Sequence, residues 1–481
     1  MLVQLRNSVL LKVFGLLALT LALYIPLSEI RALIAERGQS QQQAKAELAA
    51  TYVGEQTVVG PLLVLPYTER WIEPQRDLLG KRVGQLERSK EMVHVVFPET
   101  LAVEGSIEPQ ERYRGIFQIL FYVLQGSWRG SFAAFDRTRV LASEKDASLE
   151  FRSPYLAFNL SDLRGLNGAP AVQLAGETLR FAQRLPGLAD DAWLSRGIHA
   201  PLTGAALAAW SAGRALPFEL KLSLVGQEKL ALVPIADETT AHLTSSWPHP
   251  SFGGRFLAAQ RSVSDAGFDA RWRVSALVTE ARDQVRAGLR SNAGIAERVI
   301  HPSDVWRNLE SFDVSLVQPL NVYAMSTRAA KYGLLFIGLV LMAAFMFEIF
   351  RKLRLHPVQY GLVGLSIALF FLLLLAFSEK VAFPLAYAGA AAASVLLLGG
   401  YFSAVLGGWR RATWLAAFVA LLYAALYGLL ASESNALLLG ASLIFGMLAL
   451  LMLATRKVDW YALSARRLDV RGDSAGAEVA S

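Results

Sequence analysis

The hydrophobic residues of this 481-residue chain are concentrated in an early run and in a long stretch towards the C-terminal end. The first run, 13–28, continues without a small-residue cleavage site, which predicts a retained signal anchor rather than a cleaved signal peptide. Five later runs are each long enough to cross a bilayer core of about 30 Å, and they are 332–350, 358–377, 381–406, 412–430 and 436–454. The pattern therefore predicts six membrane-spanning helices.

Between the first two spans, the pattern changes to short β-prone runs separated by turn residues, as in 57–67, 92–97 and 116–124. The segment 220–233 alternates apolar and polar residues around Gly226-Gln227-Glu228, which predicts a β-hairpin with one buried face. Helical patterns at 31–51 and 278–289 flank this region. The central region is thus predicted to be a β-rich (α+β) domain.

The predicted fold class is a membrane protein with an α-helical bundle and a large β-rich domain inserted between its first and second transmembrane helices. The predicted parts are 1–30 (N-terminus and signal anchor), 31–330 (β-rich domain), 331–455 (five-helix bundle) and 456–481 (C-terminal tail). Composition agrees, because 54% of the residues are hydrophobic and only 18% are charged, against about 25% charged in soluble domains.

The net charge of +7 is a topology signal. Residues 31–330 hold 33 Lys+Arg and 32 Asp+Glu, so the excess lies beside the spans, which argues against nucleic-acid binding. If the N-terminus is cytoplasmic, twelve Lys and Arg residues lie on the cytoplasmic side, and the short outer loops hold only Lys380. This positive-inside asymmetry predicts that both termini are cytoplasmic and that 31–330 lies on the outer side.

Candidate chemistry is sparse. The chain has no cysteine, which excludes disulfides, thiolate nucleophiles and Cys-bound metals. It contains no P-loop, nucleophile elbow, H-E-x-x-H or EF-hand motif. The closest histidines, His242 and His249, lack zinc-ligand spacing and companion ligands. We therefore predict a non-enzyme with no catalytic residue, no cofactor and no metal site.

The most distinctive segment of the central region is 245–252, in which Trp247-Pro248-His249-Pro250 precedes Phe252. It is either a recognition loop or a rigid turn whose aromatic side chains pack into the core, and we favour the turn. Two further pairs of candidate residues, Gly60-Pro61 and Pro66-Tyr67, interrupt an apolar run and are more typical of a strand edge or bulge than of a ligand site.

Ionisable residues within the spans would indicate transport. Here Lys12, Glu348, Glu379 and Lys380 lie at or near span ends, which disfavours ion-coupled transport. Tyr423 and Tyr427 lie one helical turn apart and could hydrogen-bond across the bundle, although we favour a packing role.

A series of short motifs runs along the chain in a specific order and spacing. They are Ile25-Pro-Leu-x-x-Ile30, Leu33-Ile34-x-Glu36-Arg37, Gly54-Glu-Gln-Thr57, Gly60-Pro61, Pro66-Tyr67, Ser246-Trp-Pro-His-Pro-Ser-Phe252, Ser326-Thr-Arg-Ala-Ala-Lys-Tyr332, Phe377-Ser-Glu379 and Lys457-Val-Asp-Trp-Tyr461. Through these motifs, and over nearly its whole length, the sequence resembles the CreD family of inner-membrane, cell-envelope integrity proteins. Two departures are Tyr52-Val53, where the family tends to show Trp-Gly, and Lys380, where a His is common.

The resemblance implies a Gram-negative inner membrane with a periplasmic outer domain. It also implies induction by a sensor kinase and response regulator, with effects on colicin tolerance, β-lactam response and envelope stability. It implies no established catalytic residue.

Three hypotheses of function follow. The leading one is a non-catalytic inner-membrane protein that supports envelope integrity and stress response, with the lipid bilayer and periplasmic envelope components or membrane proteins as partners. The alternative is a transporter or channel for a lipid or small amphiphile through the helix bundle. A third is a membrane-bound enzyme acting on cell-wall material, for which Asp190, Asp191 and Glu310 are the available carboxylates.

Overall fold

The computed structural model describes residues 9–76, 82–188, 194, 197–289, 306, 308–318, 322–351, 355–405, 409–431 and 436–456. The chain divides into a helical unit, made of Met1–Gln42 with Leu320–Ser481, and a β-rich domain, Gln43–Pro319. The β-rich domain is shorter at both ends than the predicted range 31–330. At its start, the helix Tyr24–Thr51 begins in the first apolar run and ends within the domain. After its end, the next helix begins at Val322.

Ten helices are present in the described part of the chain. They are α1 (Val9–Ala22), α2 (Tyr24–Thr51), α3 (Gly204–Ser211), α4 (Ala281–Leu289), α5 (Val322–Lys331), α6 (Gly333–Arg351), α7 (Pro357–Ser378), α8 (Phe383–Val405), α9 (Trp409–Ala431) and α10 (Ala436–Thr455). The helical patterns at 31–51 and 278–289 correspond to α2 and α4. Helices α3 and α4 belong to the β-rich domain.

Within the described ranges, four helical segments are long and apolar enough to cross a membrane: Lys12–Thr51, Pro357–Ser378, Phe383–Val405 and Ala412–Ala431. The pair α5 and α6, bent by 45°, adds a fifth if it forms one span. Helix α10 covers the sixth predicted span, but several of its side chains lie outside the described residues. Six spans therefore stay a prediction.

Local sequence explains where α7 begins. Pro357 occupies the first helical position, where its missing N–H costs nothing. His356 caps the helix by accepting from the Val358 N–H, and Gln359 accepts from the His356 N–H at 2.8 Å. This reciprocal cap assigns His356 a structural role.

The described residues of the β-rich domain form two sheets. Its strands are β1 (Gln56–Arg76), β2 (Arg82–Val96), β3 (Thr100–Arg114), β4 (Phe117–Phe132), β5 (Ser148–Phe151), β6 (Tyr155–Leu160), β7 (Ala171–Leu174), β8 (Glu177–Arg180), β9 (Ala182–Gln183), β10 (Ile198–Pro201), β11 (Leu216–Gln227), β12 (Lys229–Leu232), β13 (Glu238–Ser245), β14 (Pro250–Gly254), β15 (Gln260–Ser264), β16 (Gly267–Ser275) and β17 (Phe312–Leu316).

The first sheet has the order β14-β17-β12-β1-β6-β10-β9, and β2 and β5 also pair with β1. The second sheet has the order β15-β16-β13-β3-β4-β11-β7-β8. Inward-facing side chains of both sheets form one hydrophobic core. Trp128 of β4 and Phe158 of β6 meet edge to face in it, with ring centroids 5.6 Å apart.

The hairpin predicted over 220–233 is wrong. Strand β11 pairs with β4 and β7 in the second sheet, whereas β12 pairs with β1 and β17 in the first. The chain changes sheets at Glu228, which has a φ of +55°. Alternation of apolar and polar residues predicts strands with one buried face, but it cannot say which sheet each strand joins.

Candidate functional site

The segment 245–252 links β13 of the second sheet to β14 of the first. The Trp247 Nε1–H donates to the Val317 carbonyl at 3.0 Å, and the Val317 N–H donates to the His249 carbonyl at 3.1 Å. Phe252 packs against Phe268 and Trp272, with centroids 5.6 and 5.7 Å away. These contacts give Trp247 and Phe252 a packing role; Pro248 and Pro250 are half-buried and His249 is exposed.

The other candidate residues lie in β1. Gly60 has a φ of +136° and precedes Pro61 through a cis peptide bond, and the register between β1 and β6 shifts between Val59 and Leu62. Pro66 lies inside the strand opposite Val93, and the ring of Tyr67 packs on Phe151 at 5.9 Å. Of the strand edge and the bulge that the sequence offered for Gly60-Pro61, the register shift indicates a bulge.

The structure does not bring these two sets of residues together. Strands β14 and β1 belong to the same sheet, but β17 and β12 lie between them. No single site therefore contains both Trp247 and Tyr67. Recognition by these residues was the less favoured interpretation of the sequence, and these contacts do not test it.

Glu310 anchors a helix. Its Oε2 accepts from Thr279 Oγ1 at 2.8 Å and from the Glu280 N–H at 2.9 Å, beside the start of α4. Burial alone would raise the pKa of this carboxyl, but those hydrogen bonds and the charge of Arg255 lower it below its ordinary value. Asp190 and Asp191 lie outside the described residues.

Among the described residues, no group of three or more His, Asp or Glu side chains could hold a metal ion. His242 bonds Asp269 through Nε2 at 2.8 Å within the second sheet, whereas His249 precedes a strand of the first. These two histidines therefore do not form a site.

The sequence did not reveal a shallow, open groove of about 750 Å³ on the outer face of the second sheet. Strands β13, β3, β4 and β11 form it. The lining residues are Glu104, Gly105, Ser106, Gln125, Gly126, Ser127, Lys221, Leu222, Ser223, His242 and Thr244. Gly105 and Gly126 are directly opposite each other, and glycine pairs of this kind allow a sheet to bend.

The charges on this face are paired with one another. Arg129 lies 3.4 Å from Glu104 and 3.4 Å from Glu219, and Lys221 lies 3.3 Å from Glu219. His242 bonds Asp269, as described above. Hydroxyl and amide groups, including the Gln125 side chain that donates to Ser223 at 3.0 Å, supply the other polar atoms. The groove is thus polar without a dominant charge.

The helical unit has its own polar cluster. Lys12 of α1 forms an ion pair with Glu348 of α6, and Tyr360 of α7 donates to the other Glu348 oxygen at 2.6 Å. Glu348 is near a span end, as predicted, yet it is only 5% exposed. Because both carboxylate oxygens have partners, this cluster ties three helices together.

A second hydrogen-bonded network lies between α8 and α9. Tyr387 donates to the Tyr423 carbonyl at 2.7 Å, and the Tyr423 hydroxyl lies 2.9 Å from Ser394 Oγ. The Tyr427 ring packs on Tyr387 with centroids 5.1 Å apart. Of the two interpretations offered for this tyrosine pair, hydrogen bonding holds for Tyr423 and packing for Tyr427.

Residues 8–461 match the family model described as "Inner membrane protein CreD". The chain belongs to the CreD family. It is 33% identical over 467 residues to the inner membrane protein CreD of Escherichia coli (strain K12), covering 96% of each chain. The two departures noted above, at Tyr52-Val53 and Lys380, leave membership intact.

Solved M1 zinc metallopeptidase structures align with part of this CreD-family chain. An M1 zinc metallopeptidase from Deinococcus radiodurans aligns with 37% of this chain and 38% of its own, at 10% identity and a TM-score of 0.19. A two-domain M1 zinc metallopeptidase bound to L-arginine gives the same TM-score, covering 37% of this chain and 39% of its own. A structural similarity this weak supports no conclusion about the fold or the chemistry of this chain.

Proposed function

We propose that this CreD-family chain is a non-catalytic inner-membrane protein that supports cell-envelope integrity and the response to envelope stress through its β-rich domain. The observation that supports this most is the groove on the second sheet. Its ionic groups neutralise one another, and its hydroxyl and amide groups suit reversible recognition. The domain would bind an envelope component while the helices hold it at the membrane.

This function requires the domain to be periplasmic, with both termini in the cytoplasm. The charge asymmetry of the loops supports that orientation. Because the chain has no cysteine, single-cysteine variants report orientation cleanly. In spheroplasts, a membrane-impermeant maleimide should label a Ser264→Cys variant of β15 and should label a Ser474→Cys variant only after lysis. The reverse pattern would reject the orientation.

The proposal itself is tested by deletion. Cells that lack the gene should become more sensitive to a β-lactam or to osmotic and detergent stress, and the full-length chain should restore resistance. A clean deletion that behaves like the parent strain under all these stresses would remove the basis of the proposal.

A further inference from the structure

The register of the second sheet aligns the outward side chains of the groove into two rows. His242, Glu104, Ser127 and Lys221 are successive cross-strand neighbours on β13, β3, β4 and β11. Thr244, Ser106, Gln125 and Ser223 form the adjacent row on the same strands. The second row contains only hydroxyl and amide groups.

The second row is the neutral row, and it has a defined length and chemistry. Neighbouring strands lie about 4.8 Å apart, so four strands give a row of about 14 Å. A hydroxyl both donates and accepts, and the Gln125 amide has two N–H donors and two acceptor sites. Its bond to Ser223 uses one donor only. A ligand that presents alternating hydroxyl donors and acceptors along its length fits this row.

The first row, which contains Glu104 and Lys221, is the charged row, and it restricts the charge that a ligand can carry. Glu104 shares Arg129 with Glu219, and Lys221 lies within 3.3 Å of Glu219. His242 contacts Asp269. An anionic chain would have to compete with these carboxylates for their cations, and a cationic chain would have to compete with the cations for their carboxylates. A ligand without charge on the contacted part avoids both costs.

We propose that this groove binds a neutral glycan chain, which lies across β13, β3, β4 and β11 along the row Thr244, Ser106, Gln125 and Ser223. Sugar hydroxyls provide the alternating donors and acceptors that the row requires. This inference rests on the proposed function, since it names the class of envelope component that the domain recognises.

The test is binding to the purified full-length chain in lipid nanodiscs, free of sugar-based detergent. Isothermal titration would use chitotetraose and maltotetraose as neutral chains and tetragalacturonate as an anionic chain. The test variant is Gln125→Ala/Ser223→Ala, which removes the centre of the neutral row. The matched control is Thr240→Ala, which shortens a side chain on the same face of β13 outside the groove.

At least one neutral oligosaccharide should bind, and the double variant should bind it about tenfold more weakly because it loses at least one hydrogen bond. The Thr240→Ala variant should bind as the wild type does. Circular dichroism and the melting temperature of each variant would verify that it is folded. Binding of neither neutral chain, equal binding by both variants, or binding of the anionic chain alone would overturn the proposal.

This experiment is independent of the cellular one. It reads binding without any stress phenotype, so its failure rejects the glycan groove and leaves the deletion phenotype as it stands. An absent deletion phenotype would reject the proposed function without changing the titration.

Discussion

Lys12 and Glu348 form an ion pair between α1 and α6, although 336 positions separate them in the sequence. The carboxylate is nearly buried and the Lys12 side chain is 36% exposed. Replacing Lys12 with Met should leave a buried carboxylate supported by Tyr360 alone, at a cost of about 2 kcal/mol. We expect a lower melting temperature for the variant in nanodiscs.

The matched control is the double variant Lys12→Met/Glu348→Gln. The new amide at position 348 would still accept from Tyr360 and would carry no charge, so most of the lost stability should return. A double variant as unstable as Lys12→Met alone would show that the ion pair does not explain the effect.

A second prediction concerns the packing of Gly364 in α7 against Leu23, the residue that separates α1 from α2. A Cβ on Gly364 would lie 2.1 Å from Leu23 Cδ1, so Gly364→Ala should overpack this contact and cost about 1–3 kcal/mol. Gly400→Ala in α8 is the control, because a Cβ there meets nothing within 4 Å. Of these two variants, only Gly364→Ala should melt at a lower temperature. If the two side chains clash, Leu23→Ala should destabilise the Gly364→Ala variant by less than it destabilises the wild type.

The third prediction concerns the C-terminal end of α2. Arg164 donates to the carbonyls of Ala49 and Ala50, and it forms two bonds, of 2.9 and 2.6 Å, with Asp162. Arg164→Ala should cost about 1 kcal/mol and speed hydrogen exchange in the last turn of α2. A lysine has only three donors, all on one nitrogen, so Arg164→Lys cannot make all four of these bonds and its exchange should be intermediate. Unchanged exchange in both variants would rule out this capping role.

Glu310 makes stability depend on pH. Its folded-state pKa is lowered, because hydrogen bonds from Glu280 and Thr279 and the charge of Arg255 outweigh burial. The resulting stability is complete above the pKa of the unfolded chain and is lost as pH falls through the folded pKa. We expect the melting temperature of the wild type to fall between about pH 5 and pH 3 more steeply than that of Glu310→Gln. Parallel profiles would contradict this assignment.

The sequence predicted those parts of the fold that depend on local periodicity. Long apolar runs predicted α7 to α9, and the amphipathic stretch after the first run predicted α2 up to Thr51. The bulge at Gly60-Pro61 was also predictable, since both residues disturb a regular strand. Such features are encoded within about twenty neighbouring residues.

Features that depend on strand order and register could not be predicted from the sequence. The segment 220–233 had the alternation of a hairpin, but its two halves joined different sheets at Glu228. The groove residues Gln125, Ser223 and Thr244 come from three separate strands, and each is an ordinary outward polar residue by itself. Only the pairing of β3 with β4 and β13, together with that of β4 with β11, makes them neighbours.

The most direct measurement is rescue of a deletion strain under envelope stress by chains that differ only on the groove face. Wild type and Thr240→Ala should restore survival, whereas Gln125→Ala/Ser223→Ala, present in the membrane at the same level, should not. Full rescue by the double variant would contradict the claim that this face of the β-rich domain carries the function.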